Sequence, residues 1–187
     1  MSKRAVVVVD LQHEYLATGK LPLSGIDQAL DNAARVIAAA REQGNPVIHV
    51  RHEANKADSP IFVPGSDGVR IHERVAPQDG ETVIVKHFPN SFRETGLKQQ
   101  LDGQGVTDVT IVGAMSHMCI EATARAAADA GYQVTVVHDA CATRELEFGG
   151  RTVPAEQVHA AAMAALAFGY ATLPDTAGYL ETGREGR

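Results

Sequence analysis

Six short segments rich in Val, Ile and Thr recur along this chain and constrain its fold more than any other feature. They read AVVVVD, NPVIHVRHE, ETVIVKHF, TDVTIVG, QVTVVHD and YATLPD in chain order. The strongest are continuous apolar runs, which are typical of parallel strands covered on both faces. Segments with helical spacing lie between them, such as SGIDQALDNAARVIAAAREQG, where we expect Ser24 as the N-cap and Gly44 as the stop. This order predicts an α/β fold, a doubly wound parallel sheet with helices on both faces.

The length and charge of the chain limit its organisation and its partners. We expect a single domain over residues 1–187, with a frayed tail from about residue 181. A net charge of −6 without clustered Lys and Arg argues against nucleic acid as a partner. No run approaches the roughly 18 apolar residues of a membrane span. The start, MSKRAVVVVDLQ, lacks the features of a signal peptide, and the two cysteines are widely separated, so we expect a cytoplasmic protein without a membrane partner.

Three side chains that could act in catalysis follow predicted strands. They are Asp10 after VVVV, Lys86 after VIV and Cys119 one turn beyond TIVG. Because parallel strands end at one edge of a sheet, we expect all three at that edge. Cys119 opens a predicted helix, where backbone N–H groups and the helix dipole favour thiolate over thiol. Taken singly, Asp10 could cap a turn, Lys86 could be a solvated strand end and Cys119 could be a core residue.

Three longer segments resemble the isochorismatase-like family of cysteine hydrolases, which includes nicotinamidase, N-carbamoylsarcosine amidohydrolase and ureidoacrylate hydrolase. The segments are VVVVDLQHEYL, VIVKHFPNSF and VGAMSHMCIEATARAAADAGYQVTVVHDACAT. The resemblance runs from Arg4 to about Leu173. It implies a three-layer α/β/α fold with a six-stranded parallel sheet in the order 3-2-1-4-5-6.

The same resemblance implies roles for the residues at the strand ends. Asp10 would be the general base, Cys119 the nucleophile and Lys86 the cation that orients Asp10 and stabilises charge. The peptide bond between Ala114 and Met115 would be cis, and the backbone N–H groups of Met115 and Cys119 would form an oxyanion hole. In the implied strand order Lys86 lies two strands from Asp10, a gap of about 10 Å that its side chain has to cross.

The implied activity is hydrolysis of a C–N bond in a small molecule, an amide, ureido or carbamoyl compound, through a thioester on Cys119. An isochorismatase-type hydrolase of vinyl ethers is one alternative. A redox thiol with Cys141 as the resolving residue is another. The third is an inactive module that uses the same fold for assembly.

The pocket, the metal content and the assembly state complete the expectations. Nicotinamidases hold a metal through an Asp-x-His pair after the second strand, whereas Val50 and Arg51 precede His52 here, so we expect no catalytic metal and no cofactor. Alanine-rich helices such as AAAMAALAFG can pack within the domain or across a subunit boundary, and the resemblance favours a homo-oligomer, a dimer or a tetramer. We expect a pocket for a small-molecule substrate lined by Gln12, Tyr15, His52, Phe88, Phe92 and His117.

Overall fold

The computed structural model describes residues 3–56 and 58–185. Its central sheet is built from β1 (Arg4–Val9), β2 (Val47–His52), β3 (Thr82–Lys86), β4 (Asp108–Ala114) and β5 (Gln133–Ala142). Neighbouring strands are parallel, and their spatial order is β3-β2-β1-β4-β5. The helices around the sheet are α1 (Ile26–Glu42), α2 (Leu97–Gly103), α3 (Glu121–Asp129), α4 (Ala155–Gly169) and α5 (Thr176–Glu185). The fold is therefore α/β with a parallel sheet.

The continuous valine run of β1 supplies two separate cores. Val6 and Val8 belong to the core that includes α1, whereas Ala5, Val7 and Val9 belong to the core on the side of α2, α3 and α4. All five side chains are at most 2% exposed. Burying one valine side chain contributes about 1.5–3 kcal/mol, so β1 stabilises both sides of the sheet at once.

The expectation of a sixth strand is wrong, because the sheet has five parallel strands. The segment YATLPD makes only an isolated parallel bridge, between Thr135 and Thr172. The Thr172 N–H donates to the Val134 carbonyl at 3.0 Å. Pro174 lies two residues further on and has no N–H to donate, so the ladder loses a bond there, although the Pro174 carbonyl accepts from the His138 N–H at 3.1 Å.

Two local features differ from, or add to, the sequence expectations. Helix α1 is preceded not by Ser24 as a side-chain cap but by Gly25 in the left-handed region at φ 73°, and no side chain caps it. Ser24 instead donates its backbone N–H to the Thr143 carbonyl at 2.9 Å. After β5 the chain forms a short antiparallel hairpin of β6 (Leu146–Phe148) and β7 (Arg151–Val153) that the sequence did not predict.

The long connection between β2 and β3 covers the carboxyl edge of the sheet beside β1. It contains two single 3-10 turns, Asp67–Val69 and Glu73–Val75. An isolated bridge pairs its Ile71 with Gln12 just after β1. The tail expected to fray is helical as far as Glu185, and residues 186–187 lie outside the described residues. Among the helices that the structure describes, none is both long and apolar enough to cross a membrane.

Candidate active site

The side chains of Asp10, Lys86 and Cys119 meet at the carboxyl edge of the sheet. Lys86 Nζ lies 2.7 Å from Asp10 Oδ2 and donates a 3.2 Å hydrogen bond to Cys119 Sγ. Asp10 and Lys86 are 0% exposed, and Cys119 is 6% exposed. Because β2 lies between β1 and β3, the lysine side chain has to pass over the end of β2 to reach Asp10. The extended side chain thus covers the lateral gap expected from the strand order.

Asp10 occupies the first position after β1 in an uncommon backbone conformation. Its φ is 55°, in the left-handed region, which aspartate tolerates better than most residues. Apart from the ion contact with Lys86, neither carboxylate oxygen has a hydrogen-bond partner among the described residues. A buried acceptor without a donor costs about 1–3 kcal/mol. The carboxylate therefore keeps an oxygen free to accept a proton.

The turn that carries Cys119 depends on a close approach between β4 and β1. A Cβ atom on Gly113 would collide with the backbone carbonyl of Val9, and the glycine φ of 137° is one that L side chains rarely adopt. The next peptide bond, Ala114–Met115, is cis. Ser116–Ile120 then forms one π-helical turn that leads into α3 and carries the nucleophile candidate.

Two side chains between Met115 and Cys119 anchor this turn to the end of β5 and to α4. Ser116 Oγ lies 2.7 Å from His159 Nδ1 and 3.3 Å from the Ala142 carbonyl. His117 Nδ1 lies 2.6 Å from Thr143 Oγ1, so this predicted pocket residue is engaged in a structural contact. The sequence analysis missed Ser116 and His159. A lone histidine on an otherwise alanine-rich helix was the available signal for the second.

Burial and the three charges set the protonation states at the site. Burial raises the pKa of Asp10, and the adjacent Lys86 offsets part of that shift. Burial alone would lower the pKa of Lys86, but Asp10 and Cys119 hold it above its usual value. Burial, followed by the negative charge of Asp10, raises the pKa of Cys119 to about 12, although Lys86 acts in the opposite direction.

Burial therefore outweighs the effect of the helix start, and the raised pKa favours the thiol form of Cys119 in the resting protein. A helix N-terminus lowers the pKa of a thiol, whereas burial raises it. Here the cation is already neutralised by Asp10, and the sulfur is buried. The shifts favour a Cys119 thiol and a Lys86 ammonium, and the 2.7 Å contact of that ammonium favours the charged form of Asp10.

Tyr15 and His52 lie beside the three catalytic candidates and share a neighbour from the long loop. Burial, followed by the charges of Asp10 and Cys119, raises the pKa of Tyr15 well above its usual value. His52 Nδ1 lies 3.4 Å from Lys86 Nζ, and burial together with that ammonium lowers the pKa of His52 to about 4. The ring of Phe62 meets both rings edge-on, at centroid distances of 5.3 Å and 5.0 Å.

Phe62 itself was missed by the sequence analysis. It is 4% exposed, and its backbone N–H donates to Glu14 Oε1 at 2.9 Å. Its only sequence signal was the apolar pair Ile61–Phe62 within a polar loop.

Gln12 is occupied by backbone groups rather than open to a ligand. Its Nε2 donates to the carbonyls of His52 and Val69, both at 2.9 Å, and its Oε1 accepts from the His52 N–H at 2.8 Å. Gln12 therefore fastens the long loop to the end of β2, next to the imidazole of His52.

The two phenylalanines after β3 are engaged by other side chains. The guanidinium of Arg93 lies 3.7 Å from the ring centroid of Phe88. Phe92 stacks on Tyr132 at 6.2 Å and packs against the core on the side of α2 and α3.

The residues that the structure describes include no group of three or more His, Cys, Asp or Glu arranged to hold a metal ion. The imidazole nearest the site, that of His52, has the Lys86 ammonium beside it. A cation is a poor neighbour for a metal ligand, because it repels the metal ion.

Comparison with known proteins assigns the chain to a family. The family model described as "Isochorismatase domain" matches residues 4–177. The isochorismatase family protein YddQ of Bacillus subtilis, itself uncharacterized, is 46% identical over 177 residues, which are 95% of this chain and 98% of that protein. A crystal structure of an isochorismatase hydrolase from Oleispira antarctica superposes with a TM-score of 0.93 at 49% identity, covering 96% of this chain and 97% of that one.

Two further relatives have names that state an activity. Streptothricin hydrolase of Streptomyces noursei is 34% identical over 87% of this chain and 59% of its own length. Maleamate amidohydrolase of Pseudomonas putida is 31% identical over 76% of this chain and 73% of its own length. On the match of the family model and the identity to these proteins, the chain belongs to the isochorismatase family of hydrolases.

Proposed function

We propose that this protein is a cysteine hydrolase that cleaves the C–N bond of a small amide, ureido or carbamoyl compound through a thioester on Cys119. The observation that carries the proposal is the position of Lys86 Nζ, which contacts both Asp10 Oδ2 and Cys119 Sγ in a buried site. A base, a cation and a nucleophile within contact distance are the components that nucleophilic acyl transfer needs.

In the first step the sulfur attacks the carbonyl carbon while its proton moves to Asp10. The pKa of Cys119 is about 12, so free thiolate is scarce at neutral pH and removal of the proton has to accompany the attack. The raised pKa of Asp10 makes this carboxylate a better proton acceptor than an ordinary aspartate. Lys86 stays protonated and balances the negative charge, which passes from the carboxylate to the substrate.

Collapse of the tetrahedral intermediate breaks the C–N bond and forms the thioester. The amine or ammonia leaves with the proton that Asp10 received. In the second step Asp10 takes a proton from water, the hydroxide attacks the thioester, and the proton returns to the sulfur. We assign the backbone N–H groups of Met115 and Cys119 to the oxyanion in both steps, where two such donors stabilise developing charge.

The burial of the site and the names of relatives support this substrate class. The catalytic candidates are almost fully buried, which favours a small ligand over a large one. One relative is named a maleamate amidohydrolase, and its name states an amide substrate. The neutral state of His52, whose pKa is about 4, offers a hydrogen-bonding imidazole to such a polar but small group.

A release assay tests this proposal directly. Ammonia is measured over a panel of small primary amides, ureido acids and carbamoyl compounds, with Cys119→Ser as the test variant and Cys141→Ser as the matched control. We expect release with wild type and with Cys141→Ser, and none with Cys119→Ser. Mass spectrometry of the quenched reaction should show an acyl adduct on the peptide that contains Cys119.

Three results would contradict the proposal. The first is undiminished release by Cys119→Ser. The second is turnover of a vinyl ether with no adduct on Cys119. The third is a Cys119–Cys141 disulfide as the main product of peroxide treatment, since that would favour redox chemistry.

A further inference from the structure

The outer face of α4 is apolar and open to solvent. No Asp, Glu, Lys or Arg occurs from residue 157 to residue 174. A helix face that stays in water normally carries charged side chains, and Phe168 on this face is 96% exposed. The exposed residues on this face recur at intervals of three and four, and we call them the α4 face: Gln157, Ala160, Ala161, Ala164, Ala165 and Phe168.

An apolar groove of about 540 Å³ lies between the amino-terminal part of α4 and the β6–β7 hairpin. Phe148, at the tip of the hairpin, is 86% exposed. The groove reaches His117 and Glu121 at one end. The apolar side chains that line it come from the hairpin and from α4: Leu146, Phe148, Val153, Val158, Ala161 and Ala165.

We propose that a second copy of this chain docks on the α4 face about a two-fold axis, with α4 of the two copies antiparallel and Phe168 of each copy inserted into the groove of the other. The proposal is independent of the catalytic assignment. It rests only on the exposed ring of Phe168, which we call the knob, on the groove, and on the uncharged helix surface between them.

The spacing of knob and groove along one helix selects a second copy as the partner. Ala161 lines the groove, and Phe168 lies seven residues further along, about 10 Å at 1.5 Å per residue. If two antiparallel helices cross near Ala164, position 168 of one copy lies opposite position 160 or 161 of the other. Both knobs then meet both grooves in a single closed arrangement, which is the self-complementarity that a two-fold interface requires.

The alanines between knob and groove allow the two helices to approach closely. Packed helices lie about 8–10 Å apart, with the shorter distances where the contact side chains are small. A larger side chain at position 164 would hold the axes apart and withdraw Phe168 from the opposite groove. In this arrangement the alanines therefore allow the two helix axes to come close enough for Phe168 to reach the opposite groove.

Area and charge agree with a dimer at this face. Phe148 and Phe168 together can bury about 300–500 Å² per copy, which is about 40–60% of the about 800 Å² per partner in a standard interface. Each copy has a net charge of −6, so two copies repel each other over most of their surfaces. The α4 face itself carries no charged residue, and Glu121 and Glu147 are the charged side chains that line the groove.

Sedimentation or light scattering of the full chain tests the proposal. Wild type should have twice the 19.9 kDa chain mass at micromolar concentration. Phe168→Lys removes two knobs per dimer and should raise the dissociation constant on the order of 10²–10³-fold. Val83→Lys is the matched control, because Val83 is another exposed apolar residue, 42% exposed on the edge strand β3, and it should leave the mass at twice the chain.

A cross-linking variant tests the position of the interface without relying on a substitution that weakens the dimer. Ala164→Cys places a thiol close to the proposed axis and should form a covalent dimer under mild oxidation. Lys98→Cys on α2, an exposed site outside the α4 face, should not. A monomeric wild type overturns the proposal, and so does a dimer that survives Phe168→Lys without cross-linking through position 164.

Discussion

The two cysteines of this protein occupy similar positions, and their comparison shows what distinguishes a nucleophile from a buried thiol. Cys119 follows β4, and Cys141 lies near the end of the neighbouring β5. Their exposed fractions are 6% and 8%. Burial is the largest cause of a raised pKa at both, and it brings both to about 12. Neither burial nor pKa separates them.

Their polar neighbours do separate them. Cys119 Sγ accepts from Lys86 Nζ at 3.2 Å, and Asp10 lies beside the same ammonium. Cys141 Sγ donates to the carbonyl of Val137 at 3.4 Å. Cys141 also borders an open cavity of about 460 Å³, so access does not favour Cys119. A charge pair that can accept and balance a proton is the feature that only Cys119 has.

The largest expected effect is the loss of activity on removing one sulfur but not the other. Cys119→Ala should lower kcat by about 10⁴-fold or more, as removal of a covalent nucleophile does. Cys141→Ala should stay within about 3-fold of wild type, because a conservative change away from the reacting atoms leaves the barrier almost unchanged. Ammonia release on the best substrate of the panel measures both. Equal losses in the two variants would remove the distinction between them.

The next effect separates the base from an ordinary buried carboxylate. Asp10→Asn keeps the shape of the side chain but removes the proton acceptor, and kcat should fall by about 10²–10⁴-fold. Asp139→Asn is the counterpart next to Cys141. Asp139 Oδ1 accepts from the N–H and hydroxyl of Thr176, so that change should affect docking of α5 rather than kcat. Thermal unfolding and kcat measured together distinguish the two results.

A smaller effect on rate, with a characteristic pH signature, is expected at Lys86. Lys86→Met leaves the Asp10 carboxylate buried without a counter-charge, so the pKa of Asp10 should rise further. The acid limb of the kcat/KM profile should move to higher pH, because activity requires the deprotonated carboxylate. The free energy of unfolding should also fall by about 3–5 kcal/mol, which urea titration would show. An acid limb that does not move would mean that Lys86 and Asp10 are not coupled.

The fold was predictable in the strands, because their residue types alone indicate whether a strand is buried on both faces. Continuous runs such as the valines of β1 indicate burial on both faces, and they mark the five strands of the sheet correctly. The prediction of a sixth strand was wrong, although Pro174, which cannot extend a strand ladder, was visible in the sequence. The start of α1 at Gly25 could not be predicted from residue propensities, because Ser24 is the better side-chain cap. The backbone N–H of Ser24 instead donates to the Thr143 carbonyl, a contact that depends on the tertiary fold.

The site was predictable at strand ends and not beyond them. Strand order explains how Asp10, Lys86 and Cys119 share one edge, since parallel topology brings those positions together. The direction of a loop side chain depends on tertiary packing, so Gln12 was expected in the pocket and Phe62 was not considered. The pKa of Cys119 could not be predicted from its place at a helix start, because burial and Asp10 raise it.

The smallest expected effect is a difference between the rates at which iodoacetamide alkylates the two thiols, and it compares them most directly. Cys119 should react at least about 10-fold faster than Cys141 at pH 8, a modest part of the 10²–10⁴-fold that a positioned base contributes. Peptide mass spectrometry of partly labelled protein gives both rates.

The pH dependence shows why the rates differ. Cys141 can react only as the thiolate, and because its pKa is about 12 its rate should rise about tenfold per pH unit from pH 7 to 10. Cys119 transfers its proton to Asp10 during attack, so its rate should be flat over that range and fall only in acid, as Asp10 becomes protonated. Asp10→Asn should convert the flat profile into the rising one. A plateau with a midpoint near the ordinary thiol pKa of about 8.5 at Cys119 would mean that a free thiolate, rather than a thiol paired with a base, is the reacting species.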